Sequence, residues 1–144
     1  MKVSTRTRYG IRATIELAGH YKQGPLQLRI IAERQGISVK YLEQLMALLR
    51  SGGIVRSVRG ARGGYVLAKA PNDTRLGEIF HCLEGPVSTT VCVSDADYCE
   101  RSADCAAREL WVSVEDAVNK IMDSYTLQDL MDKANKSRSS NYQI

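Results

Sequence analysis

The sequence predicts a mainly α-helical fold that carries one small β-hairpin, and three observations lead to this class. Apolar residues recur three and four positions apart over most of the chain, which is the period of an amphipathic helix. Two short segments of β-type residues, separated by a glycine-rich turn, interrupt that pattern near the middle. The 144 residues are 44% hydrophobic and 25% charged, which is typical of a folded domain and excludes disordered and fibrous chains.

Three helices are predicted in the first third of the chain. Residues 4–22 form the first, capped by Ser4 or Thr5 and ended by a Gly-Pro pair at residues 24 and 25. A short second helix covers residues 26–35 and stops at Gly36. Ser38 caps the third helix, which ends at the glycine pair 52–53. The apolar positions of that third helix are Tyr41, Leu42, Leu45, Met46 and Leu49.

The hairpin and the later helices follow in order. Residues 54–58 and 64–67 form two β segments around a turn at residues 59–63. Thr74 is a possible cap for a helix over residues 76–83. Residues 87–103 show no period and are predicted as a loop, followed by a long amphipathic helix from about Asp104 to Tyr125. A short helix over residues 127–134 follows a Thr126 cap, and a frayed tail is predicted from Lys136.

Charge divides the chain into two unlike halves. Residues 1–70 hold 13 Lys and Arg against 3 Asp and Glu, a net charge of +10, whereas residues 71–144 carry −6, giving +4 overall. A basic half with few acids suits a polyanion, because each neutralised phosphate releases condensed counterions. The first half is therefore predicted to contact a nucleic acid, and the acidic half to stay away from it.

The two helices around Gly36 have the spacing of a helix-turn-helix, in which the second helix lies in the DNA major groove. Together with the hairpin behind them they predict a winged helix-turn-helix. The arginines of the hairpin, Arg56, Arg59 and Arg62, lie on or beside a glycine-rich tip that suits phosphate or a narrow minor groove. The outward face of the third helix offers Ser38, Lys40, Tyr41, Glu43 and Gln44 to base edges.

Glu43 stands out among these residues. A carboxylate in a phosphate-rich groove is unfavourable unless it accepts a hydrogen bond from cytosine N4, so it can reject sites that lack this partner. We also expect Lys2, Arg6 and Tyr9, at the start of the first helix, to contribute to binding regardless of sequence.

Three cysteines, Cys92, Cys99 and Cys105, lie in or just after the predicted loop. Thiolates bind soft metals, but structural zinc sites use more closely paired cysteines and a clear fourth ligand, and neither is present here. The wider spacing leaves room for an iron-sulfur cluster. Unrelated cysteines or a thiol switch remain alternatives. Cys82, on the helix over residues 76–83, is predicted to be a buried and inert thiol.

Several motifs resemble the Rrf-type family of bacterial winged-helix regulators, which includes the IscR, CymR and NsrR branches, and the IscR branch most of all. The resemblance covers roughly residues 1–135. Its marks are MKVS with RYG at the start, ISVKYLEQL in the third helix, RGARGGY in the hairpin, LEGP at residues 83–86, the three cysteines, and Leu110-Trp111 in the long helix.

The resemblance implies a homodimer whose long helices cross and whose two heads read a pseudo-palindromic promoter. In the IscR branch it also implies a labile [2Fe-2S] cluster that tunes which promoters are recognised, control of iron-sulfur cluster assembly genes, and iron-sulfur assembly proteins as possible partners. The resemblance further implies that, in the IscR branch, a glutamate equivalent to Glu43 disfavours binding to one class of promoter until the cluster-bound form removes this unfavourable contribution. The division implied is a DNA-binding domain at residues 1–86, a cluster-binding loop at 87–106, dimerisation helices at 104–135 and a flexible tail at 136–144.

One position departs from the family pattern. Regulators of the IscR type use a histidine three residues after the third cysteine, and this chain has Arg108 there. The first gap between cysteines is also one residue longer than is common. Cys92, Cys99 and Cys105 are carried over as ligands, and the fourth is open. Its candidates are Asp104, Glu100, His20 and Glu16, the last two from the first helix of a partner subunit, or else a water or small thiol.

Two other functions are weighed against this one. A cluster-free regulator of the CymR type would sense thiol oxidation or a partner enzyme and control cysteine metabolism. A redox enzyme with a cysteine nucleophile is less favoured, because neither histidine is close in sequence to the thiols. We therefore expect no enzyme activity. No apolar run approaches the length of a membrane helix, so we also expect no membrane association and a cytoplasmic location.

Overall fold

A computed structural model describes residues 1–141, which fold into seven α-helices and one two-stranded antiparallel sheet. None of the helices in this range is long and apolar enough to cross a membrane. The helices are α1 (Thr5–Gly19), α2 (Leu28–Gln35), α3 (Val39–Ser51), α4 (Leu76–Glu84), α5 (Val91–Ser94), α6 (Ala106–Ser124) and α7 (Leu127–Asn141). The strands are β1 (Val55–Val58) and β2 (Gly64–Leu67), and single 3₁₀ turns lie at Pro71–Asp73, Ala96–Tyr98 and Ser102–Asp104.

The residues at the helix ends explain where the first three helices start and stop. The Ser4 hydroxyl accepts the backbone N–H of Thr7 at 3.2 Å, and the Ser38 hydroxyl accepts that of Tyr41 at 3.1 Å. Each satisfies one of the backbone donors that a helix start leaves unpaired. Gly36 ends α2 in the left-handed conformation, with φ of 65°. Both serine caps and the glycine stop predicted from the sequence are confirmed.

One hydrophobic core unites α1–α4 with the hairpin. Its fully buried side chains include Ile31 of α2, Leu42 and Leu45 of α3, and Ile79 of α4. Burying each such side chain stabilises the fold by about 1.5–3 kcal/mol relative to exposing it. This core fixes α3 and the hairpin in place relative to α1, which is the arrangement of a winged helix-turn-helix, so the predicted fold class is confirmed.

The second half of the chain differs from the prediction in several places. Residues 87–103, predicted as a loop, contain α5 and two 3₁₀ turns, each too short to produce an apolar period. Thr74 does not cap α4; its hydroxyl donates to the Ala70 carbonyl at 3.0 Å, and the helix begins two residues later. The last helix is longer than expected, because α7 continues to Asn141 through residues predicted as a frayed tail. Residues 142–144 of that tail lie outside the described range.

Backbone pairing joins the end of α6 to the start of α4. The Leu76 N–H donates to the Tyr125 carbonyl at 3.0 Å, and the Leu127 N–H donates to the Thr74 carbonyl at 2.9 Å. These two bonds form an isolated antiparallel bridge between Arg75 and Thr126. Leu127 is fully buried, and α7 packs back against α1. The connection between the head and the long helix is therefore tied down rather than flexible.

Candidate functional site

Helix α3 presents a polar surface opposite its buried face. Leu42, Leu45, Met46 and Leu49 are buried in the core. Lys40, Glu43 and Gln44 are exposed, as is Ser38, whose hydroxyl is already engaged as the helix cap. The structure therefore places the residues predicted to read base edges on one accessible face of α3, with Tyr41 half-buried at its edge.

Tyr41 contacts a second predicted DNA-binding residue. Its ring meets the ring of Tyr9 edge to face, with centroids 6.3 Å apart and an interplanar angle of 84°. The Arg12 guanidinium lies over the Tyr9 ring at 5.2 Å from the centroid. Edge-to-face aromatic pairs and cation–π contacts each add modest stabilisation. This arrangement supports the N-terminal end of α3 from α1. It agrees with the apolar position that the sequence gives to Tyr41, whereas the contact between the two rings was not predicted.

The β-hairpin forms the wing predicted from the sequence. Its strands pair in register from Val55 with Leu67 to Val58 with Gly64, and the Gly63 N–H closes the turn on the Gly60 carbonyl at 3.0 Å. A side chain at residue 64 would collide with the backbone of Leu26, so this position requires glycine. The wing is held to the segment before α2 at that point.

The three wing arginines are separated by the hairpin geometry. Arg59 and Arg62 are exposed at the tip, where phosphates or a minor groove can reach them. Arg56 pairs with Val66 in the middle of the hairpin, and both residues line a cavity against the end of α1. Arg59 and Arg62 therefore lie at the tip and Arg56, which is also exposed, lies beside it, as the sequence predicted.

The exposed basic residues Lys2 and Arg6 lie just before and at the start of α1, and a carboxylate from α4 fastens this segment. Glu84 accepts hydrogen bonds from the Ser4 N–H at 3.3 Å, from the Ser4 hydroxyl at 2.6 Å and from the Thr7 hydroxyl. These bonds, from Ser4 first and Thr7 second, hold the pKa of Glu84 below its ordinary value. This contact could not be predicted from local sequence patterns, because its partners are about 80 residues apart.

Few carboxylates neutralise the basic head. Within residues 1–141 the ion pairs are Arg34 with Glu16 and Lys69 with Glu78, each at 3.1 Å. The predicted DNA-binding cations Lys2, Arg6, Lys40, Arg56, Arg59 and Arg62 are in neither pair. An exposed cation without a carboxylate partner is free to neutralise a phosphate. The charge asymmetry read from the sequence therefore corresponds to a real basic surface of the head.

The three loop cysteines lie on successive short elements. Cys92 is in α5, Cys99 follows the Ala96–Tyr98 turn, and Cys105 immediately precedes α6. Cys92 and Cys105 are half-buried and Cys99 is exposed. The Cys92 thiol lies 3.1 Å from the Thr90 hydroxyl.

Two side chains of α6 hold this loop. The Arg108 Nε donates to the Cys92 carbonyl at 2.8 Å. Glu115 accepts from both the Thr89 N–H at 2.6 Å and the Thr89 hydroxyl at 3.0 Å. Arg108, at the position where the resemblance to regulators of the IscR type implies a histidine, thus binds the loop backbone. Neither contact was predicted from the sequence.

Within the described part of the chain, no three His, Cys, Asp or Glu side chains are grouped as a metal site. The donor chemistry nevertheless fits an iron-sulfur cluster, because three thiols occur on one short segment next to α6. Among the candidates for a fourth ligand, Asp104 and Glu100 are exposed on the same segment. Glu16 accepts from Arg34 and from the Gln35 amide at 2.8 Å, and His20 follows the end of α1. The ligand set stays a prediction.

Cys82 lies apart from the loop, at the contact between α4 and the end of α3. Its thiol donates to the Leu48 carbonyl at 2.9 Å and lies against Gly52. Burial raises the pKa of the Cys82 thiol, which keeps it protonated. Cys82 is half-buried rather than fully buried as predicted, and its inertness stays a prediction that the raised pKa supports.

Comparison with known proteins places the whole arrangement in one family. The family model for Rrf2, described as iron-dependent transcriptional regulator, matches residues 3–133. The HTH-type transcriptional regulator CymR of Bacillus subtilis is 45% identical over 90% of this chain and 89% of its own length. The solved structure of B. subtilis CymR, the global cysteine regulator, superposes with a TM-score of 0.79, at 44% identity over 92% of this chain and 98% of that one.

The solved structure of T. potens IscR superposes almost equally well, with a TM-score of 0.77 at 40% identity over 95% of this chain and 90% of that one. Relatives named for the two branches are thus both similar over nearly the same residues, and the comparisons do not separate the branches. They agree with the helix-turn-helix, wing and basic head described above. The chain therefore belongs to the Rrf2 family and is a DNA-binding transcriptional regulator.

Proposed function

We propose that two copies of this chain bind a pseudo-palindromic promoter, and that an iron-sulfur cluster on the cysteine loop changes which promoters are bound. The proposal rests on the observation that one helix, α6, joins the basic head to the cysteine loop. The basic head, with α3 and the wing, binds DNA, and α6 connects that head to the loop bearing Cys92, Cys99 and Cys105. A change at the loop can therefore reach the head through α6.

The surface of α6 supports the homodimer. None of its 19 residues is buried, and it exposes an apolar stripe that includes Leu110, Trp111, Val114 and Ile121. Large contiguous apolar surface on a helix is typical of a protein interface. A second copy of the same stripe would cover it in a two-fold arrangement and would place two heads side by side.

A [2Fe-2S] cluster would be held by Cys92, Cys99 and Cys105 with a fourth ligand from outside the histidine position. When bound, it would supply a redox- and iron-sensitive group that is lost under oxidation or iron starvation. The chain itself contributes Arg108 and Glu115, which hold the loop against α6. Genes for iron-sulfur cluster assembly are the corresponding targets, and assembly proteins are the corresponding source of the cluster.

A cluster-free regulator is the second candidate, favoured by the similarity to CymR. In that case the exposed Cys99 would respond to oxidation, or the loop would contact a partner enzyme. The two candidates differ in what the protein contains after purification without oxygen.

The deciding experiment measures iron, zinc and acid-labile sulfide together with the visible spectrum. We expect about two iron and two sulfide per chain, the composition of a [2Fe-2S] cluster, and a brown chromophore. The chromophore should be lost in Cys92→Ser and kept in the control Cys82→Ser, because Cys82 lies outside the loop. A colourless protein that still binds DNA would establish the cluster-free candidate instead.

The DNA-binding part is tested separately. Arg59→Ala should lose about 1–3 kcal/mol of binding free energy for promoter DNA, whereas Lys120→Ala on α6 should lose none. Glu43→Ala should let the clusterless protein bind promoters that it otherwise rejects. Electrophoretic mobility shifts on both promoter classes measure these effects. Unchanged affinity in Arg59→Ala would contradict the wing assignment, and unchanged site choice in Glu43→Ala would contradict the role of Glu43.

A further inference from the structure

A cavity of about 260 Å³ lies between the C-terminal end of α1 and the wing. Its lining includes the buried Leu17 and Leu67 and the half-buried Tyr21 and Tyr65. The remaining lining residues are His20, Lys22, Gly24, Arg56 and Val66. A cavity smaller than those that hold drug-sized ligands suits a small molecule.

The charge of the lining is one-sided. Its lining residues include the two cationic residues Lys22 and Arg56 together with His20, and no Asp or Glu. Neither Lys22 nor Arg56 takes part in the ion pairs found within residues 1–141. A guanidinium presents donors in the geometry that a carboxylate accepts, which makes an anion the natural partner here.

The backbone at Lys22 is unusual in a way that concerns this cavity. Lys22 has φ of 64°, and in the described part of the chain every other positive-φ residue is a glycine. Holding a lysine in the left-handed region costs conformational energy, and such residues concentrate at functional sites. A glycine would fit the turn without strain, but it would remove the ammonium from the cavity.

The opposite wall is rigid. The Leu26 N–H donates to the Tyr65 carbonyl at 3.0 Å, and the Tyr65 N–H donates back to the Leu26 carbonyl at 2.9 Å. Arg56 and Val66 are directly paired across the hairpin. The two cationic residues therefore come from different elements that meet at the cavity, Lys22 from the turn after α1 and Arg56 from the wing.

We propose that this cavity binds a small organic carboxylate with a flat, apolar body. The carboxylate pairs with Arg56 and Lys22, and the apolar body lies between the tyrosines above Leu17 and Leu67. Inorganic phosphate has the charge without the body, and a neutral amide has the body without the charge, so both should bind less well. The proposal does not depend on the cysteine loop or on the cluster.

The test uses benzoate, benzamide and inorganic phosphate as probes in calorimetric titrations of the full chain. We expect benzoate to bind at least tenfold more tightly than either of the other two. Arg56→Gln should weaken benzoate binding tenfold or more. Arg50→Gln removes the same charge from an exposed residue of α3 outside the cavity, and should leave benzoate affinity unchanged.

Three results would overturn the proposal. Equal binding of benzoate and benzamide would show that the cations play no part, and equal binding of benzoate and phosphate would show a general anion surface. No benzoate binding at millimolar concentration, with weaker promoter binding in Arg56→Gln, would assign Arg56 to DNA phosphate instead. The benzoate titrations use neither the metal content nor the promoter affinity of the wild-type protein. A failure to bind benzoate would therefore leave the proposed DNA-binding and cluster functions untouched.

Discussion

Single residues of this protein make contacts that join distant parts of the chain, and Glu84 is the strongest example. Its carboxylate accepts three hydrogen bonds from the first turn of α1, and Thr7, one of the donors, is completely buried. Removing the acceptor would leave a buried hydroxyl without this partner, which is more costly than losing an exposed bond. Glu84 therefore anchors the N-terminal segment that carries Lys2 and Arg6.

We predict that Glu84→Gln lowers the free energy of unfolding by about 1–2 kcal/mol at neutral pH. Hydrogen bonds to a charged carboxylate are stronger than those to an amide, and the partial exposure of residue 84 reduces this difference in bond strength. Urea unfolding measures the change in stability. Glu33→Gln, at an exposed position of α2 with no such bonds, is the control and should change stability little.

The same carboxylate predicts a pH dependence. Because the pKa of Glu84 is lower in the folded chain than in the unfolded chain, its stabilisation is fully present near neutral pH and is lost as the pH falls through the lowered pKa. The difference in stability between the wild type and Glu84→Gln should therefore shrink on acidification. A difference that stays constant from pH 7 to about pH 3 would contradict the assigned role.

At the scale of helices, α1 and α4 approach closely because residue 10 has no side chain. A Cβ at Gly10 would lie 2.9 Å from Leu83 Cδ2 and closer still to Cδ1. Leu83 is buried, so it cannot move aside into solvent. Gly19, in the same helix, has no atom within 4 Å of the equivalent position.

We predict that Gly10→Ala destabilises the protein by about 1–2 kcal/mol, because overpacking outweighs the better helix propensity of alanine. Gly19→Ala should be neutral or slightly stabilising. In a double-mutant cycle, Gly10→Ala combined with Leu83→Ala should cost less than the two single changes added together, since the alanine at 83 makes room. Additive costs in thermal unfolding would contradict this packing account.

The cysteine loop depends on α6 for its position. We predict that Arg108→Ala, which removes the donor to the Cys92 carbonyl, increases amide hydrogen exchange in residues 89–95 by tenfold or more. Exchange in α2 and α3 should be unchanged, because these helices are held by the hydrophobic core of the head and not by the cysteine loop. Unaltered exchange in the loop would show that Glu115 alone holds it.

Elements whose signals are local could be predicted from the sequence. Ser38, Gly36 and the glycine-rich turn of the wing act on neighbours within a few residues, and each was located correctly. The contacts of Glu84 with Ser4 and of Arg108 with Cys92 depend on the tertiary fold, so no spacing revealed them. Helix α5 and the two 3₁₀ turns that follow it are each shorter than the window in which a period can be recognised.

The candidate site divides in the same way. The exposed face of α3 and the arginines at the wing tip follow from helical periodicity and from the hairpin. The placement of Arg56 in a cavity does not, because it depends on how the hairpin packs against the end of α1. The length of α7 was also missed, since its last turns are polar and are helical without an apolar stripe.

At the scale of the whole molecule, the exposed stripe of α6 should decide the oligomeric state. We predict that Ile121→Lys, at a residue 59% exposed in the single chain, converts the dimer to a monomer and weakens promoter binding at least tenfold. Asp116→Lys, on the polar side of the same helix, is the control and should stay dimeric. Sedimentation velocity measures the mass, and a dimer that persists in Ile121→Lys would place the interface elsewhere.

The bridge between Arg75 and Thr126 has a mechanical consequence for such a dimer. Because the end of α6 is bonded to the start of α4, and α7 is packed on α1, each head moves together with its own long helix. Helix α6 is about 28 Å long, so a small change in the angle between two crossed helices becomes a displacement of several ångströms at the heads. One base pair advances DNA by about 3.4 Å. A change in the crossing angle of the two α6 helices is therefore best suited to select promoters by the distance between their half-sites.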